Sequence, residues 1–222
     1  MTASNAPVRI KFCGFTREAD VDAALELQVD FIGLVFVPKS PRCLTSDQAA
    51  QLRQRIPAST KVVALTMDQP RDAVAAIIDA VEPQVLQFHG AEPDDFCAGF
   101  GLPFFKTIAM GGSPSSDEVL ARCAAAPSAL AWLFDGHAVG GQGGSGQHFD
   151  WARLTAIRAE KPFFLAGGLD PGNVVVAIET ASPWGVDVSS GIESAPGLKD
   201  HEKMRAFVRA VRDIDAALPS SP

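Results

Sequence analysis

The stretch VRIKFCGFTREAD, residues 8–20, sets an apolar run ending in Cys13 against a glycine and a polar Thr-Arg-Glu-Ala segment. Its periodicity is that of a strand, a tight turn and the start of a helix. The same rhythm recurs down the chain. Short runs rich in Val, Ile, Leu and Phe fall at 8–13, 30–36, 61–66, 84–89, 103–109, 129–135, 162–166 and 184–189. Segments with helical spacing follow at 17–27, 46–56, 71–81, 93–99, 115–125, 150–160, 171–180 and 201–217. Thr16 is expected to cap the first of these helices, and Asp170, ahead of Pro171, to open the seventh.

Eight βα units with nearly continuous apolar strands predict a closed parallel (β/α)8 barrel of the TIM class, because a parallel strand is covered on both faces. A doubly wound open sheet is the competing arrangement. Its usual mark is a GxGxxG turn directly after the first strand, and CGFTRE lacks it. No segment is rich enough in Pro, Gly or Ser to be a linker, so residues 1–222 are expected to form a single domain with frayed ends near 1–7 and 218–222.

The composition, 47% apolar and 20% charged, is that of a soluble globule. A net charge of −7 disfavours nucleic acid and anionic membranes as partners, but permits a local basic pocket for a small anion. Cys13, Cys43, Cys97 and Cys123 have no CxxC spacing and no paired histidines, so they are read as free thiols, with no metal site expected. The opening MTASNAPV has no charged and apolar leader pattern, and no window approaches eighteen apolar residues. The expected location is the cytoplasm.

In such a barrel, chemistry belongs at the carboxyl ends of strands and in the loops that follow. Arg9, Lys11 and Cys13 share parity, so an inward face would set a cation beside the Cys13 thiol and favour its thiolate; otherwise Cys13 is an inert core thiol. Asp135 closes the apolar run ALAWLFD, where partial burial would raise its pKa and make it a general acid, unless it only caps a loop or meets an arginine. LAGGLDPGN and VDVSSGIE follow strands seven and eight, where barrels often hold a phosphate with glycine amides, hydroxyls and a short helix. Arg42 either clamps a carboxylate or is a solvated surface residue. His89 either orients a ligand or merely satisfies a strand end. His137, His148 and His201 have no metal-binding spacing and are read as surface or loop residues, within or near the glycine-rich stretch GGQGGSGQHFDW for the first two.

Taken in order, KFCGFT, DFIGLVFVPKSPR, LQFHG, LFDG, GGSGQHFDW, LAGGLDPGNV and GVDVSSGIESAPGLKD resemble the phosphoribosylanthranilate isomerase family across nearly the whole chain. Departures are mild: Phe12, Phe88 and Ser145 replace Ile, Leu and Thr, and extra glycines precede Gly143. The resemblance implies a (β/α)8 barrel that performs an Amadori rearrangement of a phosphosugar without a cofactor, as a monomer or homodimer. It implies Cys13 as general base and Asp135 as general acid. It also implies Arg42 on the anthranilate carboxylate, His89 along the sugar, and Gly167, Gly168, Ser189 and Ser190 around the phosphate, with Asp187 below them. A phosphosugar-binding barrel without catalysis, and a histidine-pathway phosphoribosyl isomerase with two aspartates, are the alternatives. Retention of both Cys13 and Asp135 disfavours the first, and the cysteine disfavours the second.

Overall fold

Each of the eight apolar runs is a parallel strand in the computed structural model, which describes residues 6–137, 149–157 and 159–217. The strands are β1 (Arg9–Cys13), β2 (Phe31–Val35), β3 (Lys61–Thr66), β4 (Val85–Phe88), β5 (Phe104–Ala109), β6 (Ala131–Asp135), β7 (Phe163–Leu165) and β8 (Gly185–Val188). They pair in sequence order and β8 returns to β1, closing the barrel. Between them lie α1 (Glu18–Glu26), α2 (Ser46–Arg55), α3 (Arg71–Val81), α4 (Asp94–Ala98), α5 (Ser116–Ala124), α6 (Arg153–Ile157) and α7 (Val174–Ala181), with α8 (His201–Ala217) last.

The apolar continuity of the strands has two destinations. Ile10, Phe12, Ile32, Leu34, Val62, Phe88 and Phe134 join the large core cluster shared with the helices. Phe31, Val63, Val85, Phe105, Leu133 and Phe164 form a separate cluster from the alternate, inner faces. There Phe31 meets Phe105 and Phe164 edge-on at 5.5 Å each. Farther along the strands the inner positions become polar: Lys11 and Asp187 form a buried pair, and Gln87 donates to Thr107 at 3.4 Å. Cys13 and Asp135 end their strands beyond that layer and His89 directly follows β4, so the interior passes from aromatic to ionisable along the barrel axis.

Local expectations meet several corrections. Thr16 does not cap α1; its hydroxyl donates to the Gly197 carbonyl at 2.6 Å, and Arg17 takes the cap position without a side-chain bond. Arg9 leaves the inner face at the exposed start of β1 and pairs with Asp30 at 2.6 Å. Asp170 accepts from the amides of Gly172 and Asn173, closing a separate turn, so α7 starts at Val174 and not at 171. The helices expected at 93–99 and 150–160 shrink to five residues each. His201 heads α8 as expected and stays partly exposed, its ring meeting the buried Asp20 at 2.9 Å. A short antiparallel hairpin, β9 (Glu193–Ala195) and β10 (Leu198–Lys199), was not anticipated; it follows a 3-10 turn at Ser190–Ile192.

Residues 1–5 and 218–222 of the expected frayed ends, His148, and most of the glycine-rich stretch lie outside the described residues. Val8 is tied down: its amide donates to Asp215 at 3.0 Å and its carbonyl accepts from Arg212 at 2.7 Å. Among the described residues no helix is long and apolar enough to cross a membrane.

Phe164 is fully buried and touches Phe31, Phe105 and Trp184. Phe164→Ala should cost about 3–5 kcal/mol, since a rigid barrel interior cannot collapse onto the void. Urea unfolding measures this; a loss below about 1 kcal/mol would show that the inner layer refills.

Candidate active site

One pocket opens at the carboxyl ends of the strands, with about 700 Å³ of free space, part of it open to solvent. Every residue singled out from the sequence as a site candidate lines it. Cys13, His89 and Asp135 arrive at the ends of β1, β4 and β6, and Arg42 from the segment after β2. Gly167 and Gly168 follow β7, while Asp187, Ser189 and Ser190 come from the end of β8.

Lys11, wholly buried, is the floor beneath Cys13. Burial works against its ammonium, but Asp187, whose Oδ1 lies 2.9 Å from Nζ, and Cys13 hold its pKa above the ordinary lysine value. The converse effect on Cys13 is weaker than the sequence suggested. Burial pushes the thiol up, Lys11 and Lys199 pull it down, and Asp187 pushes it up again, leaving it above the ordinary value. The expectation of a thiolate favoured by a neighbouring cation fails because burial outweighs the pull of Lys11, and Asp187 adds to the rise.

Asp135 departs from expectation in the opposite direction. Burial raises its pKa, yet His137, through its ring and its backbone amide, and His89 together bring it below the ordinary carboxylate value. The His137 amide donates to Asp135 Oδ1 at 3.2 Å, and the ring Nδ1 lies equally far but out of hydrogen-bonding alignment. His137 is thus neither surface nor loop filler: it is 4% exposed and stacks on His89 with centroids 4.3 Å apart. The strand period that assigned Asp135 stops at the strand end, so no sequence pattern marked a residue two places beyond it. Burial holds His89 neutral, with its pKa down at about 4.

Arg42 is buried, which removes the solvated reading. Its Nε and Nη2 donate to Glu193 Oε1 and Oε2 at 2.7 Å each, so the side-on fork is occupied by a protein carboxylate and Nη1 stands outside the pair. Glu193 and Lys199 come from the unanticipated hairpin. Lys199 Nζ donates to Glu193 at 2.8 Å, to the Cys13 carbonyl at 2.6 Å and to the Ser189 carbonyl at 3.2 Å. The hairpin therefore fastens the ends of β1 and β8 and aims Arg42. Gly14 makes room for this: it has φ +82°, and a Cβ there would stand 2.3 Å from Arg42 Cδ.

Gly167 and Gly168 both adopt positive φ, and Asn173 Nδ2 secures the Gly168 carbonyl at 2.8 Å. Beside them Ser189 and Ser190 lead into the 3-10 turn. Backbone turns of this kind, next to hydroxyls and a helix start, suit an anion. Among the described residues, buried polar atoms without hydrogen-bond partners include Gln87 Oε1 and both ring nitrogens of His89 in the pocket lining, with Thr66 Oγ1 and His137 Nδ1 nearby in the chain fold. A site of this chemistry on the carboxyl rim of a closed parallel barrel marks an enzyme of the (β/α)8 class.

The comparisons narrow the class. Residues 10–210 match the family model for N-(5'-phosphoribosyl)anthranilate isomerase. The enzyme of that name from Stenotrophomonas maltophilia strain K279a is 46% identical over 220 residues, covering 98% of this chain and 99% of the relative. The crystal structure of phosphoribosyl anthranilate isomerase from Thermotoga maritima superposes with a TM-score of 0.83 at 30% identity, over 93% of this chain and 99% of that one. A phosphoribosyl anthranilate isomerase in complex with reduced 1-(o-carboxyphenylamino)-1-deoxyribulose 5-phosphate gives 0.80 at 27% identity, with the same coverage. The chain belongs to the N-(5'-phosphoribosyl)anthranilate isomerase family.

Gly33 of β2 abuts the thiol: a Cβ there would come 2.8 Å from Cys13 Sγ and 3.1 Å from its Cα. Gly33→Ala should displace the sulfur and, with Cys13 as the expected base, lower turnover by about 10²-fold, as misplacement of a reacting group by an ångström does. Steady-state kinetics on protein with unchanged far-ultraviolet circular dichroism is the check; turnover within about threefold of the parent would show that the strand absorbs the methyl group.

Proposed function

We propose that the chain converts N-(5-phosphoribosyl)anthranilate, an aldosylamine, to the ketose 1-(2-carboxyphenylamino)-1-deoxyribulose 5-phosphate in tryptophan synthesis, working in the cytoplasm as a monomer or homodimer. The order of groups round the rim carries this reading. Following the strand order, Asp135 of β6 is succeeded by Gly167 and Gly168 after β7, Ser189 and Ser190 after β8, Cys13 of β1 and Arg42 after β2. A phosphate held at β7 and β8 has an acid on one side and a thiol on the other, with a carboxylate-binding arginine beyond the thiol.

In this reading the Asp135 carboxyl protonates the furanose ring oxygen. The C1′–O bond breaks toward that oxygen while the anilino nitrogen forms a C=N bond. The resulting iminium acidifies C2′, and the Cys13 thiolate takes its proton, the C–H electrons passing into C1′=C2′ and neutralising the nitrogen. The enolamine then loses its 2′ hydroxyl proton and gains one at C1′ to give the ketone. Each step moves a proton, so none calls for a redox partner or Lewis acid. Arg42 Nη1 binds the anthranilate carboxylate, and neutral His89 faces the sugar.

Loss of phosphoribosylanthranilate fluorescence on adding the protein tests the reaction, and no loss would overturn it. Cys13→Ser and Asp135→Asn should each slow that loss by about 10²–10⁴-fold, the worth of one general acid or base. Near-normal turnover in either would remove that residue from its role.

The resting protonation states have a kinetic consequence. At neutral pH Asp135 is a carboxylate and Cys13 a thiol, the reverse of what the reaction uses. Lowering the pH protonates the acid but depletes the thiolate equally, so the productive fraction is constant between the two pKa values. kcat/KM should therefore be flat across neutral pH, falling only below the ordinary carboxylate range and above the ordinary thiol range. A limb near pH 6.5 in the profile would assign the titration to a histidine instead.

A further inference from the structure

His89, which lines the pocket, and His137, stacked on it, hold more nitrogen than the proposed reaction uses. Both rings are buried; among the described residues neither His89 ring nitrogen has a hydrogen-bond partner, and His137 Nδ1 lies 3.2 Å from Asp135 Oδ1 without hydrogen-bond alignment. Leaving such atoms unpaired costs about 1–3 kcal/mol each, and every one calls for a ligand or another reason. One donor atom each from His89, Asp135 and His137 lie within 4.8 Å of one another. Two imidazoles and a carboxylate are the donor set of three-ligand zinc sites with an open position. Bond lengths of about 2.0–2.2 Å would bring the three donors closer than they stand now, so binding draws the side chains together.

The local charge favours a cation. Lys11 is matched by Asp187 at 2.9 Å, and Lys106 by Glu92 at 2.9 Å. Among the described residues Asp135 is therefore the carboxylate at that side of the mouth without a lysine or arginine partner. Arg42 and Lys199 share Glu193, and they belong to the opposite side, where the anion is expected.

We propose that His89, Asp135 and His137 form a binding site for a divalent transition metal of the zinc class, and that occupancy reversibly blocks the enzyme. The metal binds through the ring nitrogens and the carboxylate, displacing water and any ring proton and keeping its remaining positions toward the pocket. The inhibitory part rests on the role proposed for Asp135; the binding part does not.

The test uses metal-free full-length protein titrated with Co²⁺. Wild type should take up one equivalent, with visible d–d bands of a low-coordinate nitrogen and oxygen site, and Zn²⁺ should bleach them. His137→Gln and His89→Gln, each confirmed as folded by circular dichroism, should weaken uptake at least about tenfold, since even outer-shell partners of metal ligands are worth that much. Zn²⁺ should abolish turnover of wild type, chelator should restore it, and His137→Gln should need at least about tenfold more Zn²⁺ relative to its own metal-free rate. Absence of uptake, or uptake unchanged in both histidine variants, would overturn the site. So would a sulfur-to-cobalt charge-transfer band that vanishes in Cys13→Ser, because the metal would then sit on the thiol. Uptake with the expected ligands but undiminished turnover would overturn the inhibitory half, while Asp135→Asn kinetics read the role of the acid separately.

Discussion

An eight-stranded sheet closes only if its first strand meets its last, and at that seam Lys11 and Asp187 stand opposite each other in register. Their ion pair is buried, and removing one member of such a pair leaves a bare charge that costs about 3–5 kcal/mol, whereas an apolar pair of similar volume would close the barrel as well or better. Stability alone therefore does not account for the pair. Its position does: it sits between the aromatic lower interior and the pocket, giving the pocket a polar floor. Burial outweighs the pull of Lys11 on the thiol, so that floor does not drive Cys13 to a thiolate.

The charge that remains free for a ligand is set at the rim. Arg42 is held by Glu193, Glu193 by Lys199, and Lys199 by the carbonyls that end β1 and β8. This chain of bonds makes a guanidinium rigid before a ligand arrives, which lowers the ordering entropy that binding costs. On the far side, Asp135 meets two imidazoles of which at least His89 is neutral. The mouth is thus polarised across its width, cationic toward β2 and anionic toward β6.

The barrel was legible because its signal is repetitive: strands covered on both faces become apolar runs, and eight of them with helical spacers leave one economical closure. Strand ends then pointed to Cys13, His89, Asp135 and the β7 and β8 turns. What escaped was set by contacts distant in sequence. Thr16 has a cap-forming side chain, but a carbonyl 181 residues away receives its proton. Arg42 was ambiguous until Glu193 folded over it. The β9–β10 hairpin is too short for periodicity to register, two or three residues on each side. His137 lies past the strand, where alternation no longer predicts direction. The thiol and carboxyl shifts depend on balances among three or more charges, and no linear pattern encodes those.

Lys199 Nζ on the Cys13 carbonyl also bears on how the molecule is made. Even after β2 has paired with it, the first strand keeps one open edge until β8 is made, and its end is fastened only by Lys199 of β10, 186 residues after Cys13. Val8 likewise gains partners only from Arg212 and Asp215 of α8. During synthesis β1 is a bare sheet edge, with Cys13 outside the pocket that will later bury it. The thiol therefore reaches its folded surroundings only after nearly the whole barrel that follows it in the chain has been made.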